Sequence, residues 1–157
     1  MDQPSLQSIH VKLLGFDLLS LTPSITNSST FYLKGNPISR AEILGVITSR
    51  DQKPNKFLKF TIDDGTASVT CILWLNQLSS PYFSKRQPAT VLVISHLAKS
   101  FAADVQIGKL ARVRGRITRY TGELQVTVSD VVIERDPNAE TLHWLDCLSL
   151  ARRCYGR

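Results

Sequence analysis

The stretch FLKFTIDDGTASVTCILW, residues 57–74, constrains the fold of this chain more than any other segment. Polar and apolar residues alternate through both halves, which is the period of a strand that is buried on one face. The halves meet at Asp-Asp-Gly-Thr, and Asp-Gly tolerates the positive φ that a tight hairpin turn needs. The stretch therefore predicts two antiparallel strands, over 57–63 and 67–75, joined by a turn at 63–66.

The same alternation assigns a face to each side chain of the hairpin. The predicted inward set is Leu58, Phe60, Ile62, Val69, Cys71 and Leu73. The predicted outward set is Phe57, Lys59, Thr61, Thr70, Ile72 and Trp74. An outward tryptophan is either covered by another part of the chain or available to a ligand, and the pattern leaves both interpretations open.

Further strand patterns lie on both sides of the hairpin. RAEILGVITSRD (40–51) is rich in Val and Ile, and its Gly45 suggests a bulge or a sharp bend. In KLARVRGRITRY (109–120), arginines alternate with a predicted inward set of Ala111, Val113, Gly115 and Ile117. LQVTVSDVVIE (124–134) places Leu124, Val126 and Val128 inward.

Two segments have a helical pattern. Apolar residues at 91, 94, 98, 101 and 105 predict a helix before the fourth strand, after an irregular segment at 76–88. NAETLHWLDCLSLARRCY (138–155) predicts a second helix, with Asn138 as its N-cap. FYLKGNPIS is expected to contain an extended turn at 35–37, and residues 5–21 fit a helix or a strand.

The order of these elements predicts a mainly-β OB-fold, a five-stranded antiparallel Greek-key barrel. One helix lies between strands 3 and 4, and an α-helix follows the barrel. We expect a single domain over 1–157. Its barrel spans about 40–134, its N-terminal extension 1–39 and its C-terminal helix about 138–155.

The composition favours an anionic partner. Nineteen Lys and Arg against thirteen Asp and Glu give a formal net charge of +6, which suits nucleic acid. No apolar run approaches the roughly 20 residues of a membrane span, and no signal peptide is visible, so we expect a soluble intracellular protein without a membrane partner. Three widely spaced cysteines and no catalytic motif predict no metal site, no cofactor and no enzymatic activity.

The outer face of the hairpin is the predicted nucleic-acid site, because OB folds bind oligonucleotides on the face of strands 2 and 3 and its flanking loops. A base stacks on an aromatic ring while a cation contacts phosphate, which favours single-stranded nucleic acid. The candidate residues are Phe57, Lys59 and Trp74 on the face, Lys53 and Lys56 in the first loop, and Arg119 and Tyr120 in the second. Arg50 is a further cation of the first loop.

One set of basic residues and one set of apolar residues each have two interpretations. Arg112, Arg114 and Arg116 either contact phosphates or form a solvated, charged strand edge. In the C-terminal helix, Leu142, Leu145 and Leu148 share one side, with Trp144 near its edge. This side either plugs the end of its own barrel or binds a partner protein.

Four stretches, FYLKGNPISRAEILGVI, FTIDDGTASVTCILW, IGKLARVRGRITRY and the closing Asp-Pro with its helix, together resemble a known family. The chain is similar, over about 31–155, to the Stn-type OB subunit of the CST telomere complex, a relative of the replication protein A middle subunit. The resemblance implies a non-enzymatic nuclear protein at chromosome ends. Its implied partners are a small Ten-type OB subunit, a large Ctc-type subunit, G-rich single-stranded telomeric DNA and polymerase α-primase.

The resemblance also implies roles for individual residues. Trp74 of Cys-x-x-Trp and Tyr120 contact single-stranded DNA, and Arg119 or Thr118 is the neighbouring polar contact. Leu142, Leu145 and Leu148 pack against the Ten-type partner, and Asp63 is a second contact point. Because the sequence stops at Arg157, it looks like the short, OB-only form of plant members.

Three other interpretations are considered. A replication protein A middle subunit predicts a Ser/Gly-rich N-terminal tail and a C-terminal winged helix, which this sequence does not show. A tRNA-binding OB module predicts a preference for structured RNA. An OB-fold nuclease predicts metal-dependent cleavage, for which Asp63-Asp64 supplies only ordinary turn chemistry.

Overall fold

The computed structural model describes residues 9–75 and 88–154, so all of the predicted irregular segment at 76–88 except Pro88 lies outside the described residues. In chain order the elements are β1 (His10–Lys12), α1 (Gly15–Leu19), β2 (Thr22–Pro23), β3 (Phe31–Leu33), β4 (Asn36–Ile38), β5 (Arg40–Lys53), β6 (Phe57–Asp63), β7 (Ser68–Trp74), α2 (Pro88–Asp104), β8 (Leu110–Tyr120), β9 (Glu123–Ile133) and α3 (Asn138–Cys154). Both strands of the predicted hairpin and both predicted helices are confirmed.

Five strands of the described chain close into a barrel in the order β5-β6-β7-β9-β8, with β8 pairing back onto β5. The predicted mainly-β OB-fold, with its helix between the third and fourth barrel strands and its C-terminal helix, is confirmed. One ladder departs from antiparallel pairing, because β7 and β9 run parallel. The reason is that β8 and β9 form a hairpin inserted between β7 and β5, which makes β9 run in the direction of β7.

The barrel core contains the side chains that the alternation placed inward. All six predicted inward residues of the β6–β7 hairpin are at most 3% exposed: Leu58, Phe60, Ile62, Val69, Cys71 and Leu73. The inward residues of β8 and β9 join the same core. Burial raises the pKa of the Cys71 thiol, so this cysteine is an inert part of the core.

The irregularity predicted at Gly45 occurs further along β5, where the register with β6 shifts between Ile47 and Ser49. Gly45 has a different role, because it lets two strands approach closely. A Cβ on Gly45 would lie 2.5 Å from Ile62 Cγ2 and 2.6 Å from the carbonyl oxygen of Asp63. Any side chain at Gly45 therefore requires β5 and β6 to move apart.

α2 packs against β7 and β9, with small residues Ala98 and Ala102 in the core. Arg50, predicted in the first loop, lies instead within β5 and holds the end of α2. Its Nε donates to the carbonyl oxygen of Val105 at 2.9 Å, and its Nη2 donates to that of Ala102 at 3.2 Å. The cation thus neutralises the negative end of the helix dipole. Among the described helices, none is long and apolar enough to cross a membrane.

The N-terminal segment, undecided from sequence, forms β1 and the short α1 over its described part. β1 pairs in parallel with β5, and α1 is tied to the turn at 63–66. Gly15 N donates to Asp64 Oδ2 at 2.7 Å, and Phe16 N donates to Thr66 Oγ1 at 3.0 Å. The turn therefore anchors α1 as well as joining two strands. A separate small sheet, β2-β3-β4, follows, and its β3–β4 turn is at 34–35 rather than at the predicted 35–37.

The predicted N-cap of α3 is wrong by two residues. Asp136, not Asn138, provides the cap, because its Oδ1 accepts a hydrogen bond from Asn138 N at 2.9 Å. Pro137 then occupies the first helical position, where its missing N–H costs nothing. Asn138 lies within the first turn of the helix.

α3 docks on the barrel through a buried polar junction. Glu42, 3% exposed, accepts a hydrogen bond from Arg114 Nε and lies 4.0 Å from His143 Nδ1 on α3. His143 Nε2 lies 3.4 Å from both the carbonyl oxygen of Leu13 and the Sγ of Cys147. Burial lowers the pKa of His143 and raises that of the Cys147 thiol to about 12. Both side chains are therefore neutral in the folded protein at pH 7.

The His143 pKa gives a pH dependence of stability. Its folded-state pKa lies below the value of about 6.5 in the unfolded chain, so the unfolded chain binds more protons. Stability is complete above about pH 6.5 and falls as the pH drops below it. Urea unfolding at about pH 7.5 and 5.5 should show a larger loss for the wild type than for His143→Gln, which cannot titrate there. Equal losses would show that His143 does not carry this dependence.

The close approach at Gly45 gives a second prediction. Gly45→Ala should lower the free energy of unfolding by about 1–3 kcal/mol, because the new methyl group meets the Asp63 backbone rather than a flexible side chain. Urea unfolding measures this loss directly. Ala41→Gly, at a buried site of the same strand, is a control for a change of one methyl group without crowding. A Gly45→Ala protein as stable as the wild type would contradict the strand contact described here.

Candidate nucleic-acid interface

The outer face of β6 and β7 presents an aromatic pair at one end. Phe57 and Trp74 face each other across the ladder, with ring centroids 5.8 Å apart and an interplanar angle of 74°. Trp74 is 37% exposed, as its outward position predicts, so its ring is not part of the core. This edge-to-face contact fixes the orientation of the two rings and leaves part of the indole open to a stacking partner.

Three lysines surround the aromatic pair, and all three are exposed. Lys53 ends β5, and its Nζ lies 5.6 Å from the centroid of the Phe57 ring, which is cation–π geometry. Lys56 lies in the turn before β6, and Lys59 lies on the outer face opposite Ile72. The predicted loop and face lysines are therefore brought together around Phe57.

The middle of the outer face is polar but well packed. Ile72, predicted outward, is only 9% exposed although it lies outside the core cluster. It is in the central strand between Lys59 of β6 and Thr127 of β9. Hydroxyl pairs follow on both sides, with Thr118 Oγ1 2.9 Å from Thr127 Oγ1. Sequence reasoning missed these hydroxyl pairs, because each depends on the exact register of two neighbouring strands.

Tyr120 and Arg119 end β8 beside a two-residue turn. Thr121 and Gly122 both have positive φ, 51° and 85°, which is the geometry of a tight hairpin. Tyr120 is 65% exposed, pairs with Glu123 across the turn, and follows the outward phase of its strand. Arg119 is also exposed, but by the alternation of β8 it belongs to the opposite side of the strand from Tyr120.

Trp74 and Tyr120 lie at opposite ends of this face. β7 and β9 are in register with Ile72 opposite Thr127, and Tyr120 lies opposite Glu123. Trp74 and Tyr120 are therefore offset by six positions along the strands, about 20 Å at roughly 3.3 Å per residue. The two predicted aromatic contacts thus define a path along the barrel and do not share one base-binding position.

A groove of about 470 Å³ lies at the Tyr120 end of the path. The N-terminal segment forms one side of this groove and the β8–β9 hairpin forms the other. Its lining residues are Leu19, Leu21, Pro23, Ser68, Thr70, Arg119, Gly122, Glu123 and Leu124. Arg119 therefore belongs to this groove and not to the surroundings of Trp74. No pattern in the sequence indicated the groove, because its N-terminal side belongs to a segment whose structure the sequence left undecided.

Two arginines of the alternating set are used within the fold. Arg112 pairs with Glu134, and Arg114 pairs with the buried Glu42. Both therefore stabilise the barrel wall, and the phosphate interpretation does not apply to them. Sequence reasoning missed Glu42, whose position in an apolar strand gives no indication of its partners.

The predicted protein-interface residues lie on the far side of α3 from the barrel. Leu142, Leu145 and Leu148 are 57%, 56% and 52% exposed, so they do not plug the barrel; the helix docks through His143 and Cys147 instead. Trp144 is half-buried next to the β6–β7 turn, where its Cζ2 would lie 4.0 Å from a Cβ on Gly65. Asp63 is half-buried in that turn, and its Oδ1 accepts a hydrogen bond from Gly65 N at 2.8 Å.

Comparison with known proteins gives a consistent result. Residues 41–134 match the family model described as an OB-fold nucleic acid binding domain. The chain is 55% identical to CST complex subunit STN1 of Arabidopsis thaliana, over 96% of this chain and 94% of that protein. STN1 of Ailuropoda melanoleuca is 28% identical over 93% of the chain, which spans 42% of that longer protein.

Two solved structures share the fold. The Schizosaccharomyces pombe Stn1–Ten1 complex has a TM-score of 0.72, with 16% identity over 92% of this chain and 93% of that one. A replication protein A heterotrimer bound to single-stranded DNA has a TM-score of 0.71, with 12% identity over 92% and 97%. At these identities the structures establish the fold alone, and the sequence matches establish the family: this chain belongs to the STN1 family of CST complex subunits, built on the OB-fold nucleic acid binding domain.

Proposed function

We propose that this chain is a single-stranded DNA-binding scaffold subunit of a telomere-capping CST complex. It acts in the nucleus at chromosome ends, without enzymatic activity of its own. The observation that carries the proposal is the exposed Trp74 ring, fixed by Phe57 on the β6–β7 face and surrounded by lysines. This combination provides a stacking surface for bases and cations for phosphates.

Family membership supports the telomeric assignment over the other interpretations of the sequence. The relative at 55% identity covers nearly the full length of this chain and is a CST subunit, which favours this function over a general replication protein A subunit or a tRNA-binding module. By the same relationship, the large Ctc-type subunit is a partner, and polymerase α-primase is recruited for fill-in of the C-rich strand. G-rich telomeric DNA is the proposed ligand.

The α3 surface supports pairing with a small Ten-type OB subunit. The helix is held against Leu13 and against Glu42 of β5 by the buried His143, so its exposed leucine side is presented on a rigid support. Three leucines in consecutive turns form an apolar stripe that suits a partner helix or groove. Trp144 and the Asp63 turn extend this surface beyond the helix, because they lie side by side.

The first prediction of this proposal concerns DNA binding. Trp74→Ala and Tyr120→Ala should each weaken binding of single-stranded DNA about tenfold, within the range of about 1–3 kcal/mol per stacked base. Fluorescence anisotropy with a G-rich telomeric oligonucleotide measures the affinity. Tyr32→Ala removes another exposed aromatic, 39% exposed on the small sheet, and serves as the matched control.

A cooperative thermal transition close to that of the wild type must accompany the loss of binding. If Trp74→Ala abolishes that transition, the ring is structural and the stacking assignment fails. If all three variants bind DNA as the wild type does, the β6–β7 face is not the DNA site. Binding should also weaken steeply as salt rises, because the lysines act through phosphates.

The second prediction concerns the partner. Leu145→Asp should abolish co-purification with the small OB subunit, because it places a charge in the centre of an apolar contact. Leu97→Asp, on α2, is the matched control: the same substitution on a helix at a leucine that is 51% exposed. Co-purification lost in both variants, or in neither, would contradict an interface on α3.

A further inference from the structure

The groove at the Tyr120 end has room for a nucleobase and walls that suit one. Its volume of about 470 Å³ falls within the range of small-molecule sites. Leu19, Leu21 and Pro23 supply an apolar side that suits the faces of a planar ring. Ser68 and Thr70 of β7 supply hydroxyl groups, which can donate or accept hydrogen bonds.

Two charged residues of opposite sign line the same groove on the β8–β9 hairpin. Arg119 and Glu123 are separated by Tyr120 and a tight two-residue turn, so the backbone fixes their spacing. Within the described chain, neither side chain has a hydrogen bond or ion pair to another residue, whereas Arg112 and Arg114 both pair with glutamates. Arg119 and Glu123 are therefore available to a ligand.

Guanine is the DNA base that matches this pair of groups. Its O6 and N7 accept two hydrogen bonds from a guanidinium group, which is the commonest specific contact of arginine with a base. Its N1–H and N2 amine are two adjacent donors, which suit the two oxygens of a carboxylate. Cytosine and adenine each offer one exocyclic amine beside acceptors, and thymine offers one ring N–H between two carbonyl groups.

We propose that this groove holds one guanine base of the bound strand, with Glu123 contacting its N1–H and N2 amine and Arg119 its O6 and N7. The proposal rests on the proposed binding of G-rich single-stranded DNA and adds the groove and the two residues that contact one guanine of that strand. The groove adjoins the outer face at Thr70, whose neighbours across the ladders are Thr61 and Gln125. A strand that crosses the face from Trp74 therefore reaches the groove.

The test uses the full chain and an oligothymidylate of about 12 nucleotides, within the site sizes known for OB folds. A single dG is moved through the oligonucleotide, and affinities are measured by fluorescence anisotropy at about 50 mM salt. At one position, dG should bind about tenfold more tightly than dT, dC or dA. At that position, inosine, which lacks the N2 amine, and 7-deazaguanine, which lacks N7, should each lose most of the gain.

Two variants, each of which removes the charged group of one residue, assign the contacts. Glu123→Gln should no longer distinguish guanine from inosine, and Arg119→Met should no longer distinguish guanine from 7-deazaguanine. Glu140→Gln and Arg135→Met make the same changes of net charge elsewhere on the chain, and they should keep the full preference.

The outcomes separate this proposal from the function on which it rests. Equal affinity for all four bases at every position, with intact binding of the all-thymidine strand, overturns the guanine groove and leaves the DNA-binding function standing. A guanine preference that survives in both groove variants also overturns it. No binding of any oligonucleotide, including the all-thymidine strand, overturns both.

Discussion

The pairing of one long strand, β5, with two different strands is the constraint on which the other features of the barrel depend. This strand pairs with β8 in its first half and with β6 in its second, and the two ladders meet at Val46. Gly45 lets β6 approach β5 closely beside this position, because the backbone of Asp63 lies where a side chain would begin. Closure of the barrel then determines which side chains of β6 and β7 point outward. The outward position of Trp74 therefore depends on the close contact between Gly45 of β5 and Asp63 of β6.

Local pattern was sufficient to predict the barrel strands and their faces. In the β6–β7 hairpin, alternation and the Asp-Gly turn agree, so the inward and outward sets were right, although Ile72 on the outer face is covered by its neighbours. Turn chemistry was less informative at α3, where Asn138 and Asp136 are both good caps and the following Pro137 decided the outcome. Such choices depend on only two or three neighbouring residues.

The candidate site was predictable only where one strand pair contains it. The aromatic pair and Lys59 are such a case, since their register follows from the hairpin. Arginines were a poor guide, because a basic residue has the same appearance in sequence whether it meets phosphate, a helix end or a buried carboxylate. Arg50 meets a helix end at Ala102, which lies 52 residues away along the chain. Arg114 meets the buried carboxylate of Glu42, which lies 72 residues away.

The short β1 has a consequence for solubility. β6 pairs with β5 only from Val46 onward, which leaves the first positions of β5 without a partner on that edge. β1 occupies three of these positions, Arg40–Glu42, in a parallel ladder. A bare strand edge is a template on which another chain can add a strand and begin to aggregate. β1 thus covers a part of the β5 backbone edge that the pairing of β5 with β6 leaves open.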